Sequence, residues 1–256
     1  MEERKGRGLN WTGILIALIA GVTAIICAVV LSGNLVQYKK TSGSGGLSAT
    51  GSATCDFESD LVVWRGSFSV YGEDTADAYA VIKKDARLVK EYLLANGVTE
   101  EEMVFSSVDI SQQYRTEYDD NGNYIRDYPD GFNLYQSLSV TSTDIDKVEA
   151  VSRDISQLIE SGVQLVSYSP EYYCTRLDEV KLDLIEKATD NAKQRIDIMA
   201  AGTGSKAGQL LTANLGVFQI TARNSGSGEY SYGGAFDTSS RYKTAMITVR
   251  LNYAVE

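Results

Sequence analysis

Residues 114–135 read YRTEYDDNGNYIRDYPDGFNLY, and the fold turns on what this stretch is. Glu117, Asp119, Asn121, Gly122 and Asn123 alternate around a glycine, which is part of the pattern of a calcium-binding loop. That pattern wants Asp first and a bidentate Glu twelfth, between two helices. Here Glu117 is first and Tyr128 twelfth, with no flanking helix pair. A β-hairpin needs only Asn121-Gly122, a type I′ turn signal, with a second turn at Pro129-Asp130-Gly131. The hairpin is the better reading. Asp119, Asp120 and Asn121 are then the residues that a weak surface calcium ion would meet.

Working outward, strand patterns flank the hairpin at 104–114 and 132–143. In the second, Phe132, Leu134, Leu138 and Val140 alternate with polar positions. Upstream, Val62, Trp64, Gly66, Phe68 and Val70 share one face of a strand. A helix follows over about 74–96, capped by Asp74 and stopped by Asn96-Gly97. Its stripe is Ala78, Val81, Ile82, Asp85, Val89, Tyr92 and Leu93. Downstream, Thr143 or Asp144 opens a helix that ends at Ser161-Gly162. VQLVSYSPEYYCTR reads as a strand with a bulge or edge at Pro170. A longer helix spans about 177–201, and its row Leu184, Ala188, Ala192, Met199 is small in the middle, suiting close packing on a sheet. GQLLTANLGVFQITA and YKTAMITVRLNYAV finish the chain as strands, separated by a polar Gly/Ser-rich loop. The order β-β-α-β-β-α-β-α-β-β has too few helices for crossovers between all strands. It predicts an α+β fold, a mostly antiparallel sheet with about three helices packed on it.

The N-terminus is different in kind. Residues 14–31 are apolar and uncharged, about the ~20 residues that span a bilayer as a helix. Trp11 sits where an interfacial aromatic belongs. No A-x-A site follows, and Cys27 lacks the small residue that precedes a lipoprotein cysteine. The segmentation is a tail (1–10), a transmembrane anchor (11–36), a linker (37–46) and a domain (47–256). Arg4, Lys5 and Arg7 before the helix, against Lys39 and Lys40 after it, place the N-terminus inside and the domain outside the cytoplasm. The chain of 256 residues carries a net charge of −10. Residues 1–40 hold five basic and two acidic side chains, so the remainder carries −13. A domain this acidic is repelled by nucleic acid. Outside the cytoplasm Cys55 and Cys174 are free to pair; the alternative is two buried thiols.

The ordered punctuation resembles the SIMPL domain family. The stretches carrying the likeness are LSATGSATCDFESDLVVW, VKEYLLANGVTEEEMVFSSVDI, DGFNLYQSLSVTSTDIDKVEAV and EKATDNAKQRIDIMAAGTGSKAGQLLTAN, covering about residues 47–256. Composition alone reads 41–52 as linker; the resemblance moves the start of the domain back to Leu47. Phe132 stands where the family often has Tyr. The resemblance implies a mostly bacterial, exported or membrane-anchored protein, with members linked to oxidative stress and to oligomeric assemblies. It brings no catalytic residue to carry over.

Catalytic patterns are sparse. The chain has no His, which removes Ser/His/Asp and Cys/His chemistry. AGTGSKAG follows a helix and precedes a strand, the reverse of a phosphate loop. Glu100, Glu101 and Glu102 read as a solvated face, and no cofactor set is legible. The expectation is a membrane-anchored extracytoplasmic interaction module, not an enzyme, with the bilayer and further copies of itself as partners. Tyr118, Tyr124 and Tyr128 are the candidate interface. The alternatives are a small-molecule binder using the same tyrosines and a His-less hydrolase.

Overall fold

The computed structural model describes residues 21–23, 25–32, 46–225 and 233–256. The expected tail, most of the anchor and all but Gly46 of the linker lie outside these residues. The described part of the anchor is helical, with Val22, Ile25, Ile26, Val29, Val30 and Leu31 exposed along it. Among the described residues no helix is long and apolar enough to cross a membrane.

The elements run β1 (Leu47–Glu58), β2 (Leu61–Gly72), α1 (Thr75–Ala95), β3 (Met103–Phe105), β4 (Asp109–Tyr118), β5 (Tyr124–Ser142) and α2 (Ile145–Asp154). A 3-10 turn (Ile155–Ser161), β6 (Leu165–Ser167), β7 (Glu171–Tyr173), α3 (Leu177–Gly202), β8 (Ala207–Leu215), β9 (Gln219–Ala222) and β10 (Tyr242–Val255) complete them. The fold is α+β, but the strands form two sheets where one was expected. One has the order β1-β10-β8, with β9 also on β10; the other has β3-β5-β2-β6, with β4 also on β5 and β7 also on β2. Every pairing in the second sheet is antiparallel.

Three expected strands are each broken in two. The 104–114 strand divides after Ser106: its N–H still bonds the Ser137 carbonyl, but Ser137 N–H turns to Ser106 Oγ, and the register against β5 has shifted by one where β4 begins. The strand around Pro170 splits into β6 and β7, because proline has no N–H for β2. The next splits at Gly216, where an added Cβ would lie 2.2 Å from Thr248 Oγ1.

The chain divides into two compact units, one of Ala49–Arg195 with Ala213–Leu251, the other of Ile196–Thr212 and Asn252–Glu256 with the described residues up to Ser48. The six-stranded sheet belongs to the larger unit. Its inner face carries Val62, Trp64, Phe68, Leu134, Leu138 and Val140, all nearly or fully buried. Gly66 leaves room on that face for the Trp64 indole, 3.1 Å from where a Cβ would sit. The Trp64 indole N–H donates to Ser167 Oγ, which donates to the Ser152 carbonyl. Helix α1 lays Ala78, Ile82, Val89 and Leu93 on this core, and α2 adds Val148 and Val151. Val81 and Met199, expected in helical core stripes, are exposed instead. Both helices start as expected, since Asp74 accepts from the Ala76 and Asp77 N–H groups and Asp144 from Lys147 N–H. In the same unit α3 meets β1 at Gly51, where a Cβ would fall 2.2 Å from the Ala188 carbonyl and 2.3 Å from Ala192 N.

Candidate functional site

Beyond Phe132, β5 outruns β2 and continues alone with β4 as a two-stranded ribbon. The turn at its end is a hairpin, but not type I′. Of its residues only Gly122 has positive φ, +81°. Gly122 N–H donates to the Asp119 carbonyl and Asp119 N–H to the Asn123 carbonyl. This is a type I turn closed by a left-handed glycine, a common three-residue hairpin loop. Asp119 organises it: Oδ1 accepts from the Asn121 and Asn123 N–H groups and Oδ2 from the Asn123 side-chain amide. These bonds, from Asn123 foremost, hold its carboxyl below the ordinary Asp value. Both oxygens face loop donors, so the calcium pattern of the sequence is spent on the turn itself.

The expected second turn at Pro129-Asp130-Gly131 is a bulge inside β5. The register passes from Gln112 opposite Phe132 to Tyr114 opposite Pro129, leaving one extra residue on β5. Gly131, at φ +92°, absorbs it. A Cβ there would sit 2.7 Å from the Gly72 carbonyl and 2.9 Å from Tyr71 Oη. Tyr71 donates to the Asp130 carbonyl, and Arg115 pairs with the Asp130 carboxylate at 3.0 Å. Bulge, tyrosine and ion pair together tie the ribbon to β2.

The register separates the three tyrosines expected to act together. Tyr114–Pro129, Thr116–Asp127 and Tyr118–Tyr124 face each other on one side of the ribbon; Arg115–Tyr128 and Glu117–Arg126 do so on the other. The Thr116–Asp127 hydrogen bond (2.7 Å) and the Glu117–Arg126 pair (2.8 Å) mark the two faces. Tyr118 and Tyr124 are thus a cross-strand pair, about 60% exposed, with Tyr114 on the same face. Tyr128 belongs to the charged face. The alternation of β4 could have put Tyr114 with Tyr118 from sequence; the shift at Gly131 that turns Tyr128 away, and a second shift that leaves Ile125 extra on β5 and sets Tyr124 opposite Tyr118, could not be read.

Two further surfaces lie in the larger unit. The outer face of the six-stranded sheet holds a depression of about 610 Å³ lined by Arg65, Ser137, Ser139, Tyr135, Tyr168 and Glu171 among others. Arg65 Nη1 lies 2.7 Å from Glu171 Oε2, which also accepts from Tyr173 Oη. The hydrogen bond from Arg65, then that from Tyr173, lowers the Glu171 carboxyl. The pair is self-neutralising, and its carboxylate is engaged by Arg65 rather than by a serine, whereas a serine nucleophile needs a base in reach. The second depression is acidic, with Glu58, Asp60, Asp144 and Asp146 around Arg241. Each carboxylate there has a structural partner: Arg241 takes Glu58 and Asp146, Thr175 bonds Asp60, and Asp144 caps α2. Among the described residues no group of three or more Cys, Asp or Glu is placed to hold a metal.

Of the expected carboxylate run, Glu102 is not a solvated side chain. It accepts from Ser142 Oγ and Thr99 N–H, and Lys147 Nζ reaches its two oxygens at 3.0 and 3.1 Å. Burial alone would raise this carboxyl; the bonds and the ammonium overcome it and bring it down to about 2. Cys55 and Cys174, which the sequence left open to pairing, are both half-buried free thiols. β1 offers Phe57, not Cys55, to the small cavity that Cys174 lines, and burial raises the Cys174 thiol.

The chain matches the SIMPL family, described as a protein of unknown function (DUF541), over residues 47–252. That match spans most of the chain, and the protein belongs to this family. No curated protein matches it.

Proposed function

We propose that the protein is a membrane-anchored interaction module of the SIMPL family that assembles with copies of itself through the β4–β5 ribbon. The observation that carries this reading is the ribbon's exposed aromatic face, formed by Tyr114, Tyr118 and Tyr124, on a hairpin that extends past its sheet. Tyrosine offers large contact area at low entropic cost, and exposed aromatic pairs of this kind are a hallmark of interfaces. The ribbon is well fixed internally, by the Asp119 loop, the Gly131 bulge and two ion pairs, so little ordering cost remains on binding. The anchor reading rests on residues 14–31 and on the exposed apolar side chains of its described helical part. The basic residues ahead of that run, Arg4, Lys5 and Arg7 against Lys39 and Lys40 behind it, favour a domain outside the cytoplasm. The two depressions favour an interaction module over a hydrolase, because their carboxylates are tied to Arg65, Thr175, Arg241 and a helix N-terminus.

Replacing Tyr114, Tyr118 and Tyr124 together with Ser tests the reading. The variant should sediment at lower mass than the unaltered protein, with an unchanged far-ultraviolet circular dichroism spectrum. An unchanged mass distribution would refute assembly through this face.

A further inference from the structure

β4 pairs with β5 along one edge, and among the described residues nothing pairs with the other. Ten residues of backbone donors and acceptors are therefore presented at a sheet edge. Such an edge is a template for another strand unless charge, proline or a bulge blunts it. Pro129 and the extra residues at the two register shifts, Gly131 and Ile125, lie on β5, leaving β4 regular. What remains to protect β4 is its charge, and that charge is self-complementary.

In an antiparallel ladder, residues point their backbone groups alternately to one edge and the other. When a strand pairs with a copy of itself across a two-fold axis, a residue bonding outward must meet another that bonds outward. The axis must then pass between one residue and its own copy. This leaves few registers. Centring on Gln113 sets Asp109 against Glu117, and centring on Arg115 sets two arginines together; like charges directly opposed are destabilising. Centring on Tyr114 forms no ion pair. Centring on Thr116 pairs Arg115 with Glu117 but overlaps only 114–118. Centring on Gln112 pairs Asp109 with Arg115 twice and Ile110 with Tyr114 twice, and overlaps 109–115.

We infer that two copies of this chain join edge to edge through β4, with Gln112 opposite Gln112 of the second copy, merging their six-stranded sheets into one. This rests on the self-assembly proposed above and adds an edge contact to it: Tyr114 lies within the 109–115 overlap, and Tyr118 and Tyr124 lie beyond it, free to make the face contact. The Asp109 side chain is exposed, and no hydrogen bond or ion pair holds its carboxylate among the described residues, so the arginine of the second copy would be its first partner. Arg115 keeps Asp130 on its own side and is mostly exposed, at 62% of its side chain. Ile110 and Tyr114, 52% and 60% exposed, would cover one another across the junction and extend the aromatic face from one ribbon to the next.

The test uses the full chain in detergent, with Cys27, Cys55 and Cys174 replaced by Ser. Gln112→Cys should form a disulfide-linked dimer under mild oxidation, because directly opposed Cα atoms in an antiparallel pair are about 4.5–5.5 Å apart, within disulfide reach. Tyr118→Cys, six residues from the axis, should not. Arg115→Asp should lower the assembled fraction, and Asp109→Arg added to it should restore it. A monomer in every sedimentation run would overturn the self-assembly reading itself. An oligomer that neither cross-links through position 112 nor recovers with the charge exchange would overturn this register alone and leave assembly through the tyrosine face standing.

Discussion

Glu102 shows how much one side chain of an apparently solvated run can do. Its carboxylate joins the start of β3 to Ser142 at the end of β5 and to Lys147 of α2. A folded-state value of about 2 against an ordinary 4.5 means the unfolded chain takes up its proton first as pH falls. The contribution is therefore present above about pH 4.5 and lost as pH drops toward 2. Glu102→Gln should cost about 1.5–3 kcal/mol near neutrality, and the gap from the unaltered protein should shrink in urea melts at pH 3. Asp85 has the opposite sign. Burial on the core face of α1 raises its carboxyl, so its charge opposes folding once the pH is above its ordinary value. Asp85→Asn should raise the urea midpoint at pH 7 and leave it nearly unchanged at pH 3. The two ribbon glycines differ in surroundings, not in φ. Gly122→Ala meets open space and should cost about 1–2 kcal/mol, the strain of one left-handed residue. Gly131→Ala adds a contact at 2.7 Å with the Gly72 carbonyl and should cost distinctly more by the same melts. A smaller loss at Gly131 than at Gly122 would contradict the bulge.

At the scale of elements, what the sequence revealed was what local chemistry alone decides. Asp74, Asn96-Gly97, Asp144 and Gly162 mark helix ends because caps depend on neighbours within one turn. The hairpin was legible for the same reason. Its turn type was not, because Asp119 folds back on the loop and claims the bonds a two-residue turn would leave unused. Strand breaks were hidden where a distant partner causes them, as at Gly216 beside Thr248. Lys243 is the clearest case. Period two puts it in line with Ala245, Ile247, Val249 and Leu251, and it is 2% exposed, its ammonium donating to the Asp237 carbonyl. A lysine in that pattern reads as the solvent end of a strand; only the returning chain at Asp237 makes its burial tolerable. The same limit applied to the tyrosines. Type and clustering made the ribbon a candidate interface, while its faces depended on two register shifts on β5, one at Gly131 and one at Ile125.

For the whole molecule, we propose a SIMPL domain held at a bilayer and joined to others by its ribbon. Protease added outside intact cells should digest the domain of the full-length chain, and protection in spheroplasts would contradict the proposed orientation. The acidic domain, at −13, would be expected to repel its copies at a distance, so association should strengthen as salt screens that repulsion. Contacts centred on tyrosines and a β-ladder are screened far less than the net charge. The most direct measurement is sedimentation equilibrium of the full chain in detergent, from low to high micromolar concentration and at two salt levels. The account predicts a reversible rise in mass with concentration, larger at the higher salt. A strict monomer throughout would contradict it.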